Sequence, residues 1–181
     1  MLGQGLFKVY DTPYAGTLQI QKIERNGLTI IDTPDFFSLE EKQKDLENYK
    51  NLIYYIKSLG ELNGIIIVMN SLEYRFSEDI QTLLKMICNT FEYRHFNNIS
   101  FVFTNFYGNR KELEKIRKNK EEFVMQAKEL IKKFYGKNEF PGTLPYFFIN
   151  SDLDEPDHDS LEEREKILLW VRCLKPLHIF K

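Results

Sequence analysis

Three observations predict an α/β fold on a mostly parallel sheet. Two continuous apolar runs, Ile65-Ile66-Ile67-Val68-Met69 and Ile99 to Phe103, read as strands covered on both faces. Amphipathic, helix-length stretches alternate with them. A third β-branched run, Leu28 to Ile31, ends abruptly in Asp32-Thr33-Pro34, as when a buried strand delivers a carboxylate to the sheet rim where α/β folds bind ligands. At 181 residues the chain suits one domain, 1–181, with a sizeable core. A composition of 43% hydrophobic and 29% charged residues is that of a globular protein. The net charge of −2 gives no reason to expect a nucleic-acid partner. No apolar run approaches the ~18 residues of a membrane span. Cys88 and Cys173 lack CxxC spacing and read as buried thiols in a reducing compartment, so a cytoplasmic location is expected.

The elements follow in order. Residues 17–32 alternate on both sides of Arg25-Asn26-Gly27, with Leu18 and Ile20 before it and Leu28 and Ile30 after. Asn-Gly is the preferred pair for a two-residue hairpin turn, because both positions need φ > 0. An antiparallel hairpin is therefore predicted, its second strand ending at Asp32. Ser38-Leu39-Glu40-Glu41 has the capping-box pattern and opens a helix to about Leu59, with Leu46, Tyr49, Leu52, Ile53 and Ile56 as its apolar stripe. Gly60 and Asn63-Gly64 stop it ahead of the Ile65–Met69 strand. Ser77 caps the next helix, which turns Ile80, Leu83, Leu84, Ile87 and Phe91 inward. The Ile99–Phe103 strand ends at Thr104-Asn105. Residues 110–135 form the longest helix, with Leu113, Ile116, Phe123, Ala127, Leu130 and Phe134 on one side and a solvated, lysine-rich face opposite. Leu144 to Ile149 is a last strand ending at Asn150-Ser151, and Ser160-Leu161-Glu162-Glu163 is a second capping box, opening a terminal helix with Trp170. The order β-β-α-β-α-β-α-β-α gives a mostly parallel sheet with one antiparallel strand.

Three strand ends therefore carry polar groups: Asp32-Thr33, Thr104-Asn105 and Asn150-Ser151. Crossovers of one hand place the ends of parallel strands on one edge of the sheet. An Asp there holds Mg²⁺ beside a phosphate; the same segment also reads as a helix cap with Pro34 starting a turn. Each of the other two ends also reads as a cap or a turn when taken alone. Phe106-Tyr107 reads equally as a base-packing pair and as a plain surface loop. Asp152-x-Asp154 with Glu163 in twelfth position hints at a Ca²⁺ loop, but Pro156 and Asp157 stand where a ligand and the turn glycine are needed. His95, His158 and His178 have no spacing for zinc or a triad.

Thr17, a hairpin, IIDTPDFFS, a helix, GIIIVMN, FVFTN and FFINS together resemble the AIG1-type (immunity-associated, GIMAP-like) GTPases, relatives of septin-like and chloroplast-import G proteins. FVFTNFYGNRKEL resembles their protist branch. The resemblance covers nearly the whole chain from Phe7 and implies a P-loop-NTPase-like G-domain, a three-layer sandwich. It also implies GTP or GDP and Mg²⁺ as ligands, a slow GTPase switch in the complete protein, and a G-domain homodimer as partner. On the matching positions, Thr17 lies where the switch I threonine reaches Mg²⁺ and the γ-phosphate. Asp32, followed by Thr33, matches the third-motif aspartate that partners Mg²⁺. Asp35 replaces a Gly whose backbone N–H meets the γ-phosphate, and a carboxylate there is electrostatically unfavourable. Thr104-Asn105 occupies the place of the guanine-reading motif, without the Asp that pairs with the base edge in most G proteins. Asn150 would contact the base from the last motif.

One departure stands against this. The sequence contains no GxxxxGK[ST], the loop that cradles phosphates with backbone amides and supplies a Lys and a Mg²⁺-binding hydroxyl. Gly3 and Gly5 lack the Lys and the preceding strand. The expectation is a G domain whose first strand and P-loop are missing: either a truncated GTPase, binding GTP/GDP and Mg²⁺ only if that loop is supplied, or a nucleotide-free remnant acting as a protein-interaction module.

Overall fold

The computed structural model describes residues 20–34, 42–73, 75–150 and 158–178. The chain divides into two compact units, Met1–Gly60 with Phe180–Lys181, and Glu61–Ile179.

In the first unit, β1 (Gln21–Arg25) and β2 (Leu28–Asp32) form an antiparallel hairpin. Arg25 pairs with Leu28 and Gln21 with Asp32, so two residues make the turn. Asn26 and Gly27 both take positive φ, 51° and 72°, as the Asn-Gly pair predicts. Helix α1 (Lys42–Leu59) follows, with Ile56 buried and Tyr49, Leu52 and Ile53 half-buried. The Ser38–Glu41 capping box lies outside the described residues.

The second unit holds a three-stranded parallel sheet, β4 (Ile65–Asn70), β5 (Ile99–Thr104) and β6 (Tyr146–Phe148), in the order β4-β5-β6. It is preceded by the two-residue β3 (Glu61–Leu62), which pairs antiparallel with β7 (Leu177–His178) at the other end of the unit. Neither short strand is legible in the sequence. Three helices cover the sheet: α2 (Glu78–Thr90), α3 (Arg110–Tyr135) and α4 (His158–Cys173). A 3₁₀ helix, Tyr93–Asn98, leads into β5. Helices α2 and α3 pack on one face around Leu84, Phe101, Phe103, Phe123 and Ala127, all almost fully buried. Helix α4 packs on the other through Ile167 and Trp170 against Val102 and Phe147. The caps behave as their residues dictate. Ser77 accepts the Ile80 N–H at the start of α2, Asn109 and Glu112 make a reciprocal capping box on α3, and Gly136, at φ 61°, closes α3 in the left-handed conformation.

Five expectations need correction. β2 pairs with β1 in a two-stranded sheet of its own, so Asp32-Thr33 does not end a strand of the β4-β5-β6 sheet. β4 is not covered on both faces: Val68 is 62% exposed. Phe134 is exposed, while Ile131, Val124 and Lys120 take the inward positions of α3. The last helix starts at His158, so Ser160 and Glu163 lie inside it and are not its capping box. Cys88 is buried, and burial pushes its thiol up to about 12, but Cys173 is exposed.

Candidate functional site

Parallel pairing sets Asn70 opposite Thr104 and Phe103 opposite Phe148. The polar residues that follow these strands therefore gather on the C-terminal rim of one sheet. The rim is cross-tied by hydrogen bonds that the strand ladder does not supply. The Thr104 hydroxyl donates to the Met69 carbonyl at 3.2 Å, and the Ser71 N–H donates to the Thr104 carbonyl at 2.8 Å. The Ser71 hydroxyl, fully buried, donates to the Asn105 carbonyl at 2.8 Å. Asn70 folds back so that its Oδ1 accepts the Leu72 N–H at 2.9 Å. Lys120, reaching across from α3, donates to the Glu73 carbonyl and so holds the same loop from its far end.

Asn105 takes φ 55°, a left-handed conformation that Asn tolerates better than other non-glycine residues. It turns the chain sharply off β5 and sends Phe106 inward, 7% exposed, with its ring 4.5 Å from that of Phe148. The Arg117 guanidinium lies over both rings, 4.7 Å and 4.9 Å from their centroids. Phe106 is therefore a core residue that anchors the loop, and Tyr107, 58% exposed, is the member of the pair open to solvent. At β6, the Ile149 N–H donates to the Phe103 carbonyl at 2.9 Å and extends the ladder one residue. The outer edge of β6 is closed by α4. Glu163 Oε2 accepts the Phe148 N–H at 3.2 Å, and Ser160 Oγ accepts the Asn150 N–H at 3.0 Å. A small cavity of about 110 Å³ opens between Tyr107, Gly108, Arg117, Ser160 and Glu163.

The structure thus brings Thr104, Asn105 and Asn150 to one rim. Asp32 and Thr33 stand at the end of β2 in the first unit, with Asp32 paired to Gln21 in the hairpin and both half-buried. Thr17, Asp35 and Ser151 lie outside the described residues, as do Asp152 and Asp154 of the Ca²⁺-loop pattern; its Glu163 is engaged with β6. Among the described residues no three His, Cys, Asp or Glu side chains are grouped to hold a metal ion. Mg²⁺ needs fewer, because it keeps waters and phosphate oxygens, and the Asp32 carboxylate is a hard oxygen donor of the kind it takes. The rim residues that sequence reasoning missed are Asn70 and Ser71, although a polar pair directly after an apolar strand is the signal that singled out Asp32. Arg117, Ser160 and Glu163 carried no such signal, since each looks like one more surface charge or cap.

Comparison with solved structures agrees with this architecture. The structure of Toc33 from Arabidopsis thaliana in complex with Mg²⁺ and GMPPNP superposes with a TM-score of 0.65 at 17% identity, over 94% of this chain and 77% of that one. The fold is that of a P-loop-NTPase-like G domain. A structure from work on the chloroplast translocon components atToc33 and psToc159, for whose GTPase activity dimerization is important, gives 0.63 at 15% identity over 91% and 73% of the two chains. A dimerization-deficient mutant of Toc33 gives 0.59 at 16% identity over 84% and 64%. No family model matches the sequence, and no curated protein matches it. No helix among the described residues is long and apolar enough to cross a membrane.

Proposed function

We propose that residues 1–181 form a single AIG1-type G domain that recognises a guanine nucleotide from the base side and acts in the cytoplasm. The carrying observation is the rim in which Asn105, held left-handed by its own backbone and tied to Ser71, leaves β5 beside Asn150 at the end of β6. The solved G domain with Mg²⁺ and GMPPNP that this fold resembles supports the ligand class. Asn105 and Asn150 would meet the base. Asp32, with Thr17, would hold Mg²⁺, which when bound shields the phosphate charge; Thr33 and Asp35 would follow at the phosphate end. With a phosphate-binding loop supplied, the expected activity is a slow GTPase switch, with a second G domain as partner. The sequence holds no GxxxxGK[ST] to cradle the phosphates. Several charge-assisted hydrogen bonds of about 1.5–3 kcal/mol each are absent, and each 1.4 kcal/mol is tenfold in affinity.

Titration of a fluorescent GTP analogue with Mg²⁺ should therefore give a Kd weaker than about 100 μM, competed by GDP and not by ADP, and lost in Asn105→Ala and Asn150→Ala. A Kd below about 1 μM refutes base-side binding without a phosphate loop. A second reading, a nucleotide-free remnant serving as an interaction module, is favoured by the lack of GxxxxGK[ST] in the sequence and by the exposed Tyr107 ring beside the rim. It is the outcome if neither GTP nor GDP binds at millimolar concentration.

A further inference from the structure

On the sheet-distal side of α2 and α3 runs an open groove of about 980 Å³. Its walls are Phe76, Gln81 and Lys85 on the α2 side and, on α3, a stripe from Glu122 to Phe134. The inward face of α3 is spent on the core through Ile116, Phe123, Ala127 and Ile131, so the stripe is a second, outward face. It is not uniformly polar. Met125 is 65% exposed and Phe134 42%, with Leu130 half-buried between them.

The order of residues along the stripe is self-complementary. In an antiparallel helix pair with its twofold axis between Ala127 and Lys128, Glu122 of one copy stands level with the partner's Lys133. Met125 then stands level with the partner's Leu130, and Gln126 with the partner's Glu129. Each copy offers an acid to a base, an apolar side chain to an apolar one and an amide to a carboxylate, and twofold symmetry repeats every pairing. A parallel arrangement would set Glu122 on Glu122 and Lys133 on Lys133, which like charge disfavours. The groove's four charges, Lys85, Glu122, Glu129 and Lys133, cancel. It has neither the excess of positive charge that an anionic lipid surface selects nor a single-sign field for an acidic or basic partner.

We propose that this face is a homodimer interface, in which α3 packs antiparallel on α3 of a second copy and each Met125 enters the other's groove. The contact is independent of nucleotide and lies on a different surface from the rim, so it goes beyond the G-domain pairing proposed above. The stripe spans three turns, about 16 Å. A contact confined to one such stripe and its groove is short, and the dimer is weak and concentration-dependent.

Sedimentation velocity on the full chain without nucleotide, over a wide range of protein concentration, tests this. The expected result is a monomer–dimer equilibrium that weakens by about tenfold or more in Glu122→Lys and in Lys133→Glu, where an attraction becomes a repulsion on both sides of the axis. The double variant Glu122→Lys/Lys133→Glu restores association, because it swaps the charges of each pair; a variant that merely failed to fold could not be rescued this way. Met125→Asp, at an exposed position, abolishes the dimer while the circular dichroism spectrum stays native. A monomer at every concentration overturns the proposal. So does a dimer indifferent to Met125→Asp and the single charge reversals, which would place the contact elsewhere, and so does a double variant no better than the singles.

Discussion

The two faces of the β4-β5-β6 sheet are built to different standards. On the α2–α3 face, Phe123 sits edge-on to both Phe101 and Phe103, with centroids 5.5 Å and 5.8 Å apart and interplanar angles of 89°. Phe103 also meets Phe148 at 5.5 Å. Edge-to-face rings lock one another's rotamers and add to the area they bury. On the α4 face a small cluster of Val102, Phe147 and Ile167 suffices, Trp170 lies 6.1 Å from Phe147, and Val68 is left largely exposed. The thick face carries the stability of the unit, and the thinner face serves to close the edge of β6 and fix the rim. Phe103→Ala should therefore lower unfolding free energy by about 3–5 kcal/mol and Ile167→Ala by about 2–3 kcal/mol, measured by denaturant unfolding. An Ile167→Ala loss equal to that of Phe103→Ala would break the distinction.

Lys120 sharpens it, because a charge lies inside the thick face. The side chain is 1% exposed, its Nζ 4.9 Å and 5.6 Å from the Phe103 and Phe123 centroids, and it donates to the Glu73 carbonyl. Burial holds its pKa below the ordinary 10.5, with Glu73 partly opposing the shift. Lys120→Ala leaves both a cavity and a stranded carbonyl and should cost about 2–4 kcal/mol. Lys120→Met keeps the stem and removes the buried charge, and should cost much less. The sign of the pH effect follows from the depressed pKa. Between the folded value and 10.5 the unfolded chain holds a proton that the folded chain has released, so the wild type gains stability as pH rises through that window. The stability difference between wild type and Lys120→Met should therefore move in favour of the wild type from neutral to mildly alkaline pH. A flat difference would mean that the ammonium is not desolvated.

Legibility from sequence tracks how local the cause is. The hairpin, the Ser77 cap and the bounds of α3 follow from neighbouring residues, and each stands where Asn26-Gly27, Ser77 and Asn109 to Gly136 put it. The strands of the parallel sheet were readable because burial leaves a continuous apolar run. What was not readable depends on partners far away in the chain. β3 and β7 pair across 115 residues on two side chains each, too short for any period to show. Ser160 and Glu163 make a convincing capping box, yet serve β6 because the helix began earlier. Lys120 sits on the apolar stripe of α3, where composition argues for solvent, yet the fold gives its ammonium the Glu73 carbonyl and the faces of two rings. At the rim, Thr104, Asn105 and Asn150 were readable as strand ends, whereas the ties from Ser71 and Arg117 were not.

His95 tests the edge of the thick face at the acid end. It is buried in the 3₁₀ helix beside Phe96, and burial lowers its pKa below the ordinary 6.5, with Glu92 and Arg94 acting in opposite directions on it. Below 6.5 the unfolded chain takes up a proton that the folded chain resists, so stability falls as pH drops toward the folded value. The loss should be about 1 kcal/mol or less and should vanish in His95→Asn, seen as parallel stability curves above pH 7 that diverge near pH 5. Curves that stay parallel would place the imidazole in water.

The smallest effect is expected at Asn105, where the two faces meet the rim. A left-handed backbone costs a residue with a Cβ roughly 1–2 kcal/mol, and Asn recovers part of this through its short polar side chain. Asn105→Ala should lose about 1 kcal/mol, while Asn105→Gly, which adopts φ 55° freely, should leave stability within about 0.5 kcal/mol of wild type. The Ser71 hydroxyl bonds the backbone carbonyl of residue 105 and survives both changes. The glycine variant therefore separates the two roles of this position. If Asn105 only shapes the turn, Asn105→Gly keeps whatever nucleotide affinity the wild type has. If its amide meets the base, Asn105→Gly unfolds like wild type yet binds the fluorescent GTP analogue as poorly as Asn105→Ala. Equal loss of stability in both variants would show that the side chain itself braces the rim, and the separation of thick face, thin face and rim would have to be redrawn.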